Sequence, residues 1–131
     1  MLGPKKVLGS LGEEVACQYL RRQGYEVIGR NFRKRAGEVD LVAVKDEFLI
    51  VVEVKTRHAP AAIDPIFSLT AQKKNRMAKL AEIYLFQDDR LRECQIRFDL
   101  IVVEQREAEY AITHWPDAFQ CDGDVFSSSF H

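Results

Sequence analysis

Two acids and a lysine interrupt a stretch that otherwise has the character of buried β-strand. In residues 37–57, GEVDLVAVKDEFLIVVEVKTR, Asp40, Glu53 and Lys55 stand within two valine-rich runs. A two-residue turn at Asp46-Glu47 sets Lys45 against Phe48, and by the same register Asp40 against Glu53 and Glu38 against Lys55. Opposed residues share a face, so Asp40, Glu53 and Lys55 are expected on one side of the sheet, with Val42, Val44, Leu49 and Val51. Two carboxylates at cross-strand distance repel, and apolar neighbours add a desolvation cost. Lys55 neutralises one acid, whereas a divalent cation neutralises both. Mg²⁺ and Mn²⁺ suit carboxylate, carbonyl and water ligands, which Asp40, Glu53 and the carbonyl of Val54 supply. An isolated E-x-K is more often a surface ion pair where a strand meets solvent.

A third acid strengthens the chemical reading. The spacing predicts a helix from about Ser10 to Arg22, closed by Gly24 as its C-terminal cap. Glu14, Gln18, Arg21 and Arg22 form its polar face, while Glu13 shares a face with Ala16, Cys17 and Leu20 and points toward the sheet. The ordinary alternative for Glu13 is a helix-start carboxylate favoured by the helix dipole.

The elements that must position these groups follow from periodicity and punctuation. Strands are expected over residues 25–32, 38–44 and 48–56, then a loop with Pro60 and Pro65, a helix over 70–86 with Met77, Leu80, Ala81 and Tyr84 on one face, and a buried strand over 96–103. An edge strand over 110–114 completes the body. The resulting order, αβββαβ, is a mixed sheet flanked by helices. Residues 1–114 form one domain in this reading, and 115–131 a flexible acidic tail. Asp122-Gly-Asp124 lacks the twelve-residue pattern of a calcium loop.

Composition narrows the setting. The chain has 131 residues and a net charge of −1, but residues 1–103 carry +4 and residues 104–131 carry −5. Arg33 and Arg35 belong to a basic cluster over residues 21–35, which reads either as a solvated face or as a phosphate-binding patch. Cys17, Cys94 and Cys121 show neither disulfide nor zinc spacing and fit reduced thiols. The longest apolar stretch is too short to cross a membrane and the first ten residues lack a signal-peptide core, so a soluble cytoplasmic protein is expected.

Five motifs in order then carry a resemblance. Gly9, Gly12, Glu13 and Ala16, the run RRQGYEVIGRNFR, GEVDLV at 37–42, VEVKTR at 52–57, and Thr70, Lys73 and Arg76 together resemble the YraN-like bacterial proteins. Those proteins look like members of the PD-(D/E)xK nuclease superfamily, near the archaeal Holliday-junction resolvases. The resemblance covers about residues 5–104 and implies a restriction-endonuclease-like fold. It places the superfamily's helix acid on Glu13, its metal-binding aspartate on Asp40 and its E-x-K pair on Glu53 and Lys55; Val39 stands where the superfamily's name has proline.

The activity implied is Mg²⁺- or Mn²⁺-dependent phosphodiester hydrolysis in branched, single-stranded or damaged DNA. Asp40, Glu53 and the Val54 carbonyl would hold the metal, with Glu13 reaching it directly or through water. Lys55 would orient the nucleophile or stabilise developing charge, with Glu38 holding its ammonium, and Arg57, Lys73 and Arg76 would contact backbone phosphates. Resolvase-like enzymes often cut as homodimers, which makes a homodimer a further expectation. The alternative is a non-catalytic nucleic-acid-binding or scaffold protein that retains the fold.

Overall fold

The structure, a computed structural model, describes residues 4–58 and 69–120, and within the first helix the side chains from Leu11 onward. Helix α1 spans Pro4–Arg22, and strands β1 (Glu26–Lys34), β2 (Gly37–Lys45) and β3 (Phe48–His58) follow it. Helix α2 (Ala71–Gln87), a single 3₁₀ turn at Asp89–Leu91, β4 (Gln95–Arg106) and β5 (Glu109–Phe119) complete the chain. The loop with Pro60 and Pro65, together with Cys121 and the Asp122-Gly-Asp124 segment, lies outside the described residues.

The five strands form one sheet in the order β1-β2-β3-β4-β5, antiparallel except for the β3–β4 pair, which is parallel. The expected mixed sheet flanked by two helices is therefore present, and its arrangement is consistent with a restriction-endonuclease-like fold. A parallel pair needs a crossover, which the chain between β3 and β4 supplies through α2. Sheet alternation divides the core into two layers. On one face Val42, Leu49, Val51, Leu100 and Val102 pack against Met77, Leu80, Ala81 and Leu85 of α2. On the other, Leu41, Ile50, Val52, Ile101 and Val103 pack against Ala16, Cys17 and Leu20 of α1.

Helix α1 begins six residues before the predicted start, with Pro4 at its first position, where the missing N–H costs no helical hydrogen bond. It closes at Gly24 as expected: φ is +91° there, Gly24 N–H donates to Arg21 O at 3.1 Å, and Tyr25 N–H to Leu20 O at 2.9 Å. Strand β5 runs to Phe119, five residues past the predicted end. Pro116 is tolerated because an edge strand needs no hydrogen bond on its outer side, and Phe119 stacks on Phe98 at 4.9 Å.

A buried polar network ties this edge to the body. Asp99, fully buried, accepts from Arg97 at 2.9 and 2.8 Å and from the backbone N–H of Asp117 at 3.0 Å, and bonds His114 Nε2 at 2.7 Å. His114 Nδ1 in turn meets the Tyr19 hydroxyl of α1 at 2.9 Å. Burial alone would raise the Asp99 pKa, but these hydrogen bonds outweigh it and hold the carboxyl below its ordinary range.

Candidate functional site

The β2–β3 hairpin has the predicted register from Lys45–Phe48 to Leu41–Val52. Beyond that pair the recorded pairing stops, and the carboxylate of Asp40 accepts the Val54 N–H at 2.8 Å in place of a backbone partner. The N–H and C=O of one strand residue turn to the same side, so the Val54 carbonyl also faces β2.

This end of the sheet differs from the expected one-sided arrangement. Val39 and Val42 both pack in the α2 layer whereas Leu41 packs in the α1 layer, so the alternation of β2 breaks at Asp40. Asp40 reaches across the strand gap, and the layers on both faces contribute to the site. Glu13 arrives from the α1 side and Lys73 from the α2 side.

Gly12 lets α1 come this close. A methyl group there would overlap the Thr56 hydroxyl of β3, so the residue before Glu13 has to be glycine. Glu13 then approaches Asn31 and Glu38. Asn31 is held in left-handed backbone at φ +50°, a conformation asparagine tolerates. With its amide nitrogen turned toward the acids, it donates to Glu13 Oε1 at 2.8 Å and to Glu38 Oε1 at 3.3 Å. Asn31 is absent from the sequence-based set of site residues. The one signal it offers is a residue tolerant of left-handed backbone inside a predicted strand, and that does not reveal where its amide points.

Electrostatics reflect the crowding. Asp40 is pushed up to about 7, first by burial and then by the charge of Glu53, with the Val54 N–H opposing both. Glu13 is also raised, mainly by burial, with Glu38 and Glu53 adding to it and Arg30 and Asn31 opposing. Lys55 is lowered by burial and by the neighbouring ammonium of Lys73. Glu53 is buried, and its Oε1 holds Lys73 Nζ at 2.6 Å.

The remaining predicted residues gather around the same end of the sheet. Glu38 lies across from Arg33 of β1 and pairs with it at 2.9 Å, where the sequence register had set it against Lys55. Arg35 is exposed in the β1–β2 turn, and Arg76 lies beside Gly37 at the start of β2. Arg57 is 3.9 Å from Glu104 of β4. Lys73, expected on phosphate, is instead turned onto Glu53.

Among the described residues no three His, Cys, Asp or Glu side chains converge as a ready metal cluster. The donor set nevertheless fits a hard divalent cation of the kind held by one or two carboxylates with waters. Half-buried Asp40 and buried Glu53 form an acid pair, and burial first and then the charge of Glu53 raise the Asp40 pKa.

Fold and site together define a mixed α/β protein whose charged centre lies where two antiparallel strands part. The family described as "Uncharacterised protein family UPF0102" matches residues 12–103, and the chain belongs to it. A UPF0102 protein of Syntrophotalea carbinolica is 42% identical over 116 residues, covering 88% of this chain and 94% of that one. One from Trichlorobacter lovleyi is 43% identical, covering 87% and 91%, and one from Chlorobium phaeobacteroides is 37% identical, covering 88% and 95%. Their shared descriptor assigns no activity. No helix among the described residues is long and apolar enough to cross a membrane.

Proposed function

We propose that the protein is a divalent-metal-dependent endonuclease acting on branched, single-stranded or damaged DNA. The observation that carries this reading is Asp40 in the β2–β3 gap, bonded to the Val54 N–H beside buried Glu53. Asp40, Glu53 and the Val54 carbonyl are the residues that would hold Mg²⁺ or Mn²⁺. The chemistry supplied there is activation of a water and neutralisation of charge on the scissile phosphate. Lys55, with its pKa lowered beside that position, orients the attacking water and stabilises charge developing on the phosphate. Asn31 holds Glu13 at the edge of the site, where the carboxylate positions water. Arg33, Arg35, Arg57 and Arg76 surround the same sheet end and serve the nucleic-acid backbone without reading sequence.

The test is incubation of purified protein with labelled linear, single-stranded and four-way-junction DNA in Mg²⁺ or Mn²⁺, beside Asp40→Asn and Lys55→Ala. The expected result is metal-dependent cleavage by the wild type, reduced at least about a hundredfold in each variant. Cleavage that persists equally in the variants would exclude the assigned site. The alternative is a non-catalytic nucleic-acid-binding protein that keeps the fold. DNA binding without cleavage under any metal condition would establish that reading instead.

A further inference from the structure

We propose that Lys73 is a built-in counter-ion of Glu53 that a divalent cation displaces, so that this lysine sets the metal affinity of the acid pair. The inference rests on the metal-binding reading above. Its geometric basis is the 2.6 Å contact between Lys73 Nζ and Glu53 Oε1, with the Glu53 side chain only 7% exposed. Glu53 cannot be neutralised by water at that burial, so in the metal-free protein the ammonium supplies the charge the carboxylate lacks.

The position of Lys73 in its helix points the same way. Thr70 caps α2 and its hydroxyl accepts the Lys73 N–H at 3.1 Å, which makes Lys73 the third helical residue. At that position a Glu or Gln commonly reaches back to the cap, and the positive end of the helix dipole disfavours a cation. The first turn of α2 contains no acid at all. The local rule is broken where Lys73 meets Glu53, as expected when a residue is retained for the site rather than for its helix.

Exchange follows from the charge balance. Glu53 already has the Lys73 and Lys55 ammoniums around it. With a divalent cation held by Asp40 and Glu53, neither acid would need a lysine, and the Lys73 ammonium would be left facing like charge. Lys73, with its side chain 32% exposed, has a route outward into solvent.

Mn²⁺ binding by calorimetry, with thermal melts in EDTA and in Mn²⁺, tests this on wild type, Lys73→Met, Lys73→Gln, Lys73→Arg and Asp40→Asn. Loss of the competing charge-assisted bond should tighten Mn²⁺ binding about tenfold in Lys73→Met, and by a smaller factor in Lys73→Gln. Both variants should melt lower than wild type in EDTA and gain more from Mn²⁺, whereas Lys73→Arg should follow wild type. Equal or weaker binding by a folded Lys73→Met or Lys73→Gln protein, with wild type still binding, would overturn the inference alone. Binding by wild type that Asp40→Asn leaves unchanged, or no binding by any of these proteins, would remove the metal site and this inference with it.

Discussion

Asp40 meets two opposing demands. Its hydrogen bond to Val54 closes the gap between β2 and β3, yet its charge lies in a buried place that Glu53 makes more negative. Because its folded pKa of about 7 exceeds the ordinary 3.8, the unfolded chain ionises first as pH rises. Stability is therefore lost between those two values, and the loss is complete above the upper one. Asp40→Asn keeps an oxygen for the Val54 N–H and removes the charge. In EDTA at pH 8 it should stabilise the protein by on the order of 1–3 kcal/mol, read as a higher melting temperature, and in Mg²⁺ or Mn²⁺ it should cut far less than the wild type. A variant that melts lower than wild type would show that the charge costs the fold nothing.

At this scale the acids were legible in the sequence and their partners were not. The two-residue turn gives the register from Lys45–Phe48 to Leu41–Val52, but Asp40 and Glu53 lie beyond that pairing, where alternation breaks, while helical phase singles out Glu13 over Glu14. Lys73 turning onto Glu53 depends on how α2 is rotated over the sheet, which no local pattern encodes. Asn31 bridging two acids depends on a left-handed residue inside a strand, where alternation no longer assigns a face.

The elements differ in how tightly they constrain the site. Helix α1 must approach β3 closely enough for Gly12 to meet Thr56, and that contact sets where Glu13 arrives. Gly12→Ala should destabilise the protein by about 1–3 kcal/mol, a drop of several degrees in melting temperature, and lower cleavage further than stability alone explains. Thr56→Ala in the same chain should recover part of the loss, because the overlapping hydroxyl is gone. Full loss in the double variant would mean that Gly12 serves the helix itself and not its approach to β3.

The helices and the register of the β2–β3 hairpin were readable because each rests on a local signal: Gly24 as a cap, the apolar stripe of α2, and the turn at Asp46-Glu47. The two-layer placement was not readable. It follows from a break in alternation at Asp40 between Val39 and Val42, both of which are valines and give no sign of it. The end of β5 was obscured for the opposite reason, since Pro116 and Asp117 have the composition of a turn while their position is an edge.

Across the whole molecule, Asp99 joins β4, β5 and, through His114, α1. Removing its carboxylate takes a charge-assisted partner from half-buried Arg97 and from His114, which keep only their tyrosine hydrogen-bond partners, so Asp99→Ala should cost about 3–5 kcal/mol. Its folded pKa is depressed, so its contribution is fully present above the ordinary carboxylate value of 3.8 and is lost as pH falls through the lower folded value. Thermal melts from about pH 2 to 7 should show an acid limb that flattens in Asp99→Asn. An unchanged limb would place the acid sensitivity elsewhere.

The two borders of the sheet are not equally open to growth. Strand β1 carries a register shift between Val27 and Gly29, left-handed Asn31, and the charges of Arg30, Arg33 and Lys34. Strand β5 carries Pro116 and left-handed Asp117. The β1 border therefore lacks the straight, uncharged ladder that would template a strand from another chain, whereas on β5 the interruption comes only after Trp115, so growth of the sheet by a strand from outside is discouraged on one side far more than on the other.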